Sequence, residues 1–198
     1  MSAFFQVNHK LIGEEKQQKI ASSHVAIVGV GGLGCTVAMG LVRLGVKTLT
    51  LIDSDTIEPS NVPRQLLFNH NDVDQPKVRV AKQRLSLIFE DIDIHVHEDF
   101  IDNKNGLDYL KTSDLVIDCT DNYLARYTIS KSCKTLNIPM IYGGVNKFEG
   151  QIGVFNFNSN RAFHDIFPNI TELIKHEDCS SSGVLPFVVQ HIGNLQVV

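Results

Sequence analysis

Six short segments of the chain are rich in apolar residues, and most stretches between them repeat apolar residues at helical spacing. The strand candidates are residues 25–29, 48–53, 92–97, 115–119, 140–143 and 152–157. The first, second and fourth are near-continuous apolar runs, as in strands covered on both faces. In the third, His95 and His97 alternate with Ile94 and Val96, which predicts one exposed face. That H-x-H pair is explained better by a solvated sheet edge than by a metal site. Between the first two strands, Leu33, Val37, Leu41 and Leu44 mark a helix face, and Gly45 stands where a left-handed cap would stop it. Val78, Ala81, Leu85 and Ile88 repeat the pattern after an Asp74-Gln75-Pro76 opening, and residues 123–136 read as a third helix.

This order predicts an α/β fold: a Rossmann-like, three-layer α/β/α domain on a mostly parallel sheet with right-handed crossovers. Only a short loop separates the last two strand candidates, so the far edge is expected to turn antiparallel. From residue 157 to 182 the periodicity fades, which predicts a long surface crossover. The apolar stretch 183–198 reads as a helix that stops with the chain.

A length of 198 residues suits a single domain over 1–198, and 43% apolar with 20% charged residues suits a soluble globular one. The net charge of −4 argues against a general nucleic-acid binder. No apolar run reaches the length of a membrane span, and residues 1–10 lack a signal-peptide pattern. The cysteines Cys35, Cys119, Cys133 and Cys179 form no C-x-x-C pair, so a reducing, cytoplasmic setting is expected. The first three fall in strand or helix patterns and are expected in the core.

The chemistry begins at the end of the first strand. Gly29-Val30-Gly31-Gly32-Leu33-Gly34 runs from strand to helix as G-x-G-x-x-G. Such glycines allow a tight turn and close approach of a nucleotide, and the helix N-terminus offers free N–H groups. Asp53 ends the second strand, where a carboxylate takes ribose hydroxyls in dinucleotide folds. To this point an NAD-dependent dehydrogenase remains open. The next residues favour a triphosphate: Asn61, Arg64 and Lys77 cluster after the second strand, and an Arg fork with a Lys ammonium suits the negative charge that builds on departing pyrophosphate. The fourth strand ends in Asp118-Cys119-Thr120-Asp121-Asn122, whose carboxylates are candidates for Mg²⁺; Asp121 lies nearer the loop and is preferred to Asp118.

Taken together, these stretches resemble the ubiquitin-activating superfamily, specifically the ThiF/MoeB/HesA adenylyltransferases of thiamine and molybdopterin biosynthesis. Ile12-Gly13-Glu14-Glu15, Gln17 to Ile20, Arg126, Gly150-Gln151, Gly183 to Leu185 and Ile192-Gly193 match as well. The resemblance implies that MgATP and a small ubiquitin-fold sulfur-carrier protein ending in Gly-Gly bind, and that the carrier's terminal carboxylate attacks the α-phosphorus. It implies a homodimer. It places the nucleotide on Gly29, Gly31, Gly32, Gly34, Asp53, Asp55, Asn61, Arg64, Gln65, Lys77, Asp121 and Asn122. Arg64 and Lys77 would stabilise the transition state, and Asp121 would hold Mg²⁺. Cys179 matches a position that joins sulfur transfer in thiamine-type members and is dispensable in molybdopterin-type ones. A thiolate nucleophile and an unreactive loop thiol both stay open there.

The sequence also departs from the pattern. Many members bind zinc through two C-x-x-C pairs; here the first aligned stretch reads Arg161-Ala162-Phe163-His164-Asp165, so no zinc is expected. Members usually carry an N-terminal Arg that reaches the partner subunit's ATP. This chain has Phe4, Phe5 and Gln6 there, with Lys10 as a poor substitute and Arg43 as its first arginine. Members continue several dozen residues further, so the domain is expected to be short at its C-terminus. These departures keep a catalytically degenerate nucleotide- or protein-binding paralogue as the alternative.

Overall fold

The computed structural model describes residues 3–158, 161–168 and 183–198. Six strands form one sheet: β1 (His24–Val28), β2 (Thr48–Ile52), β3 (Asp93–His97), β4 (Leu115–Asp118), β5 (Met140–Asn146) and β6 (Glu149–Phe155). Their order is β3-β2-β1-β4-β5-β6. All neighbours are parallel except β5 and β6. The helices are α1 (Gln6–Ile12), α2 (Glu14–Ser22), α3 (Gly32–Leu44), α4 (Lys77–Ser86), α5 (Gly106–Leu110), α6 (Tyr123–Leu136), α7 (Phe163–Ile166) and α8 (Pro186–Leu195). None is long and apolar enough to cross a membrane among the described residues.

The continuous apolar runs are explained by β1. Val25 and Ile27 enter one core with Leu33, Val37 and Leu41 of α3, Val78, Ala81 and Leu85 of α4, and Val189 and Ile192 of α8. Ala26 and Val28 enter a second core with Leu110 of α5, Ala125, Ile129 and Cys133 of α6, and Phe163 of α7. Side chains alternate along a strand, so a strand covered on both sides must be apolar throughout. The result is the expected three-layer arrangement.

The signals at Gly45 and Pro76 act as anticipated, and other ends carry caps of their own. Gly45 has φ +103° and closes α3 with its N–H on the carbonyls of Leu41 and Val42. Pro76 precedes α4, and Asn122 and Asn137 cap the two ends of α6. β3 is an edge strand; His95 lies 3.1 Å from Asp93, and His97 stacks on Tyr109 at 3.8 Å.

Other parts differ. β5 and β6 extend towards each other beyond 140–143 and 152–157 and meet in a hairpin, Asn146 opposite Glu149. Lys147 takes φ +53° in the turn. The apolar pattern breaks at Gly143-Gly144, but hydrogen bonding carries the ladder past it. Within the expected surface crossover, residues 161–168 hold α7, and Phe163 is 1% exposed against Tyr142 and Phe155. A four-residue helix with one deep anchor has no periodicity to read. Residues 169–182 of that stretch lie outside the described residues. The helices α1, α2, α5 and α7 were not anticipated by the pattern.

Removing the Phe163 ring leaves a cavity lined by aromatic neighbours. Phe163→Ala is expected to lower stability by about 3–5 kcal/mol in equilibrium urea unfolding. A loss under about 1 kcal/mol would mean that α7 is not seated in the second core.

Candidate functional site

The parallel strands β1, β2 and β4 end on the same side, and the chain leaves each of them into one cluster of turns. The glycine turn sits at its centre. Gly29 has φ +87°, and a Cβ there would lie 2.8 Å from the Cys119 carbonyl oxygen. A Cβ on Gly34 would lie 2.0 Å from the Gly29 oxygen, so α3 folds back on the turn it leaves. Gly32 faces α8, where a Cβ would meet Val189 at 2.6 Å. Gly31 has the more open surroundings, with the Gln65 amide nitrogen 3.7 Å from its Cβ position. The glycines therefore have different duties. Those at 29 and 34 make the turn possible, the one at 32 seats the last helix, and the first-turn N–H groups of α3 face the cluster without helical partners.

Asp53 follows β2 and ties it to this turn. Its carboxylate accepts the Val30 N–H at 2.6 Å and the Asp55 N–H at 2.8 Å. Burial pushes its pKa up, opposed by Lys77 and by those N–H groups. The loop beyond it is zipped to the start of α4. Ile57 N–H donates to the Gln75 carbonyl at 2.9 Å, and Lys77 N–H to the Asp55 carbonyl at 3.0 Å. This brings the Lys77 ammonium to 2.7 Å from the Asp55 carboxylate, with side chains 8% and 63% exposed respectively.

Asn61 is buried and organises the turn before Arg64. Its side-chain oxygen accepts the Glu58 N–H, and its carbonyl accepts the N–H groups of Arg64 and Gln65. Arg64 donates from Nη1 to the Ser60 carbonyl at 2.7 Å, and its own carbonyl oxygen lies 3.4 Å from the Gly32 Cβ position. Gln65 is 3% exposed, and its Oε1 is buried with no partner among the described residues. An unpaired buried acceptor is unusual in native structures and marks a place for a donor.

At the end of β4 the two acidic residues part company. Asp118 is fully buried; one oxygen accepts the Thr120 N–H at 2.9 Å and hydroxyl at 2.7 Å, and the other lies 3.7 Å from Arg126 Nε. Burial pushes the Asp118 pKa up, with Arg126 pulling it down. Arg126 donates from Nη2 to the Thr120 carbonyl at 2.7 Å and lies over the rings of Tyr123 and Tyr142. Asp121 is exposed, three positions further on. Asn122, expected at the nucleotide, spends its side-chain oxygen on the Ala125 N–H at 2.8 Å as the cap of α6.

The cluster thus joins the glycine turn, the Asp53–Asp55 segment, the Asn61–Gln65 turn, Lys77 and the Asp118–Asn122 turn. Arg126 and Gln196 belong to it and carried no role in the sequence reading. The signal for Arg126 was available: a cation among Ala125, Ile129 and Cys133 on a core-facing helix side. Cys35, Cys119 and Cys133 are buried and free, as expected. Burial pushes the first and third thiols up to about 12 and the second well above its usual range. Cys179 lies outside the described residues.

Sheet order, glycine turn and the acidic end of β2 define a Rossmann-like α/β domain. Residues 5–198 match the ThiF family, and the chain belongs to that family. A probable molybdopterin-synthase adenylyltransferase of Gracilaria tenuistipitata var. liui is 36% identical over 187 residues, covering 94% of this chain and 52% of that protein. The adenylyltransferase and sulfurtransferase MOCS3 of Aedes aegypti is 34% identical over 187 residues, covering 94% and 43%. The chain spans about half the length of the curated relatives it matches. Among solved structures, E. coli MccB with AMPCPP and MccA superposes with a TM-score of 0.84 at 25% identity, over 99% of this chain and 61% of that one. E. coli tRNA N6-threonylcarbamoyladenosine dehydratase, TcdA, in complex with AMP shares the fold with a TM-score of 0.82 at 24% identity, over 100% and 93%.

Two outcomes follow from this geometry. Gly34→Ala is expected to destabilise the protein by about 1–3 kcal/mol or more, because the obstructing atom is backbone; thermal unfolding reads it. Iodoacetamide at pH 8 should leave Cys35, Cys119 and Cys133 unmodified in the folded protein and label them after denaturation, as mass spectrometry of peptides will report.

Proposed function

We propose that this domain is an ATP-dependent adenylyltransferase that activates the C-terminal carboxylate of a small ubiquitin-fold sulfur carrier ending in Gly-Gly. The observation that carries this reading is the Lys77–Asp55 pair beside the glycine turn. Lys77 is buried and needs an anion, yet its partner is exposed and replaceable. An ammonium has three donors, so a phosphate oxygen can share or take over the position. The names of the curated relatives, a molybdopterin-synthase adenylyltransferase and an adenylyltransferase and sulfurtransferase, support the same reading.

In this mechanism the α3 N-terminus and the turn N–H groups cradle the phosphates, and Asp53 accepts from the ribose hydroxyls. Lys77, Arg64 and the Asn61 turn hold the triphosphate in line with the incoming carboxylate. The carboxylate oxygen bonds to the α-phosphorus as the bond to the bridging oxygen of pyrophosphate breaks, giving an acyl-adenylate and pyrophosphate. The protein supplies positioning and charge neutralisation. Asp121 is the exposed carboxylate and the one given to the cation here, whereas Asp118 is fully buried with one oxygen held by Thr120. Mg²⁺ held there would neutralise charge on the departing oxygens. The homodimer and the part of Cys179 in sulfur transfer belong to the same proposal.

Mixing the protein with MgATP and Gly-Gly-ended carriers should raise the carrier's mass by one adenylyl group, and ATP–pyrophosphate exchange should be measurable. Lys77→Met should lower the exchange rate by about 10²–10³-fold while the protein stays folded. Asp121→Asn should abolish exchange and spare carrier binding. Nucleotide binding by the wild-type chain without exchange, for any carrier tried, would overturn the reading in favour of a degenerate binding paralogue.

A further inference from the structure

The last helix reaches the acidic turn by a route separate from the nucleotide loops. Gln196, just past α8, is 1% exposed. Its Nε2 donates to the Asp118 carbonyl at 3.0 Å, and its Oε1 accepts from the Cys119 thiol at 3.8 Å. Asp118 is the last residue of β4 and pairs with Tyr142 of β5, so the Gln196 amide adds a side-chain donor to a carbonyl at the end of the ladder. Room for the amide comes from Gly143 in β5, where a Cβ would come within 2.4 Å of Gln196 Cδ.

The amide is delivered by a helix that is itself seated closely. A Cβ on Gly193 would lie 2.8 Å from Thr36 of α3, and Val189 fills the space above Gly32. The helix therefore rests on the glycine turn at one end and keys the acidic turn at the other. Around Asp118 the restraints converge: Thr120 and Arg126 on its carboxylate, Gln196 on its carbonyl. The next residue after this pinned segment is Asp121.

We propose that Gln196 is a positioning residue. By fixing the Asp118–Asn122 turn from the last helix, it sets the place of the Asp121 carboxylate and couples that place to the seating of α8. The consequence for metal use rests on the proposed adenylyltransferase reading; the effect on the turn does not. Partners that orient metal-binding groups typically matter by about 10–100-fold in metal affinity or activity. Coupling is reciprocal, so a ligand that orders the turn also favours the seated helix.

Two variants test this. Gln196→Met keeps the volume and removes both polar groups; Gly143→Ala keeps the groups and displaces the amide. The first readout is amide hydrogen exchange of Cys119 and Thr120, whose N–H groups bond to the Val28 carbonyl and the Asp118 carboxylate. Both variants should exchange there about tenfold faster or more, with β1 and α3 protected as in the wild type. The second readout is the Mg²⁺ concentration giving half-maximal ATP–pyrophosphate exchange, which should rise about tenfold with KM for ATP little changed. Unchanged protection at Cys119 and Thr120 would overturn the proposal. So would loss of protection across the whole sheet, which assigns Gln196 to stability alone, or an unchanged Mg²⁺ requirement in an active enzyme. A wild-type protein with no exchange activity would sink the functional reading, and hydrogen exchange would still decide the role of Gln196 in the turn.

Discussion

Everything at this site depends on how closely the backbone after β1 approaches the backbone after β4. Gly29 leaves no space for a side chain against the Cys119 carbonyl, and Gly34 leaves none against Gly29 itself. This steric closure puts the N-terminus of α3 directly over the end of the sheet. Only then can Asp53 reach the Val30 N–H, and only then does the acidic turn lie beside the glycine turn. A single β-carbon at either position would separate elements that otherwise share few direct bonds. The parallel sheet supplies the alignment, but contact between its loops is a matter of fractions of an ångström.

Two ion pairs serve this cluster in opposite ways. Asp118 and Arg126 are both buried, and each is surrounded by further donors, acceptors or aromatic rings. Removing one partner of such a pair strands a charge, whereas the intact pair contributes little net stability. Its value lies in fixing one arrangement of the turn. Lys77 and Asp55 form the other kind, with a buried cation and an exposed anion. That pair holds a charge in reserve at a surface, not a piece of architecture.

Much of this was legible in the sequence because the signals were local. Strand and helix identity followed from apolar spacing, and Gly45 and Pro76 act at the ends where their chemistry predicts. Asp121, preferred to Asp118 from its position along the chain, is exposed, and Asp118 is buried. What stayed hidden is long-range. Cys119 and Gln196 stand 77 positions apart, and nothing between them announces that the last helix will reach β4. The zipper between residues 55–57 and 75–77 is equally invisible, because its bonds are backbone to backbone. Phe163 escaped notice because one buried ring in a four-residue helix creates no pattern. Asn122, expected at the nucleotide, also answers a nearer demand on its oxygen, the otherwise orphan N–H of Ala125.

The cations near the site differ in what they can still do. Arg126 is committed inward, with Nη2 on the Thr120 carbonyl and its face against two tyrosines. Arg64 is anchored by one arm to Ser60, which leaves the rest of its fork for planar, bidentate contact. Lys77 is the most constrained in position and the least in partner. Its side chain is 8% exposed while that of Asp55 is 63% exposed, so Asp55 can be solvated once another anion takes over the buried ammonium. The demand for a counter-charge therefore stays fixed in place while the present counter-charge is exposed and exchangeable. In the proposed reaction a phosphate arriving above the glycine turn would meet a positive charge already desolvated on its far side.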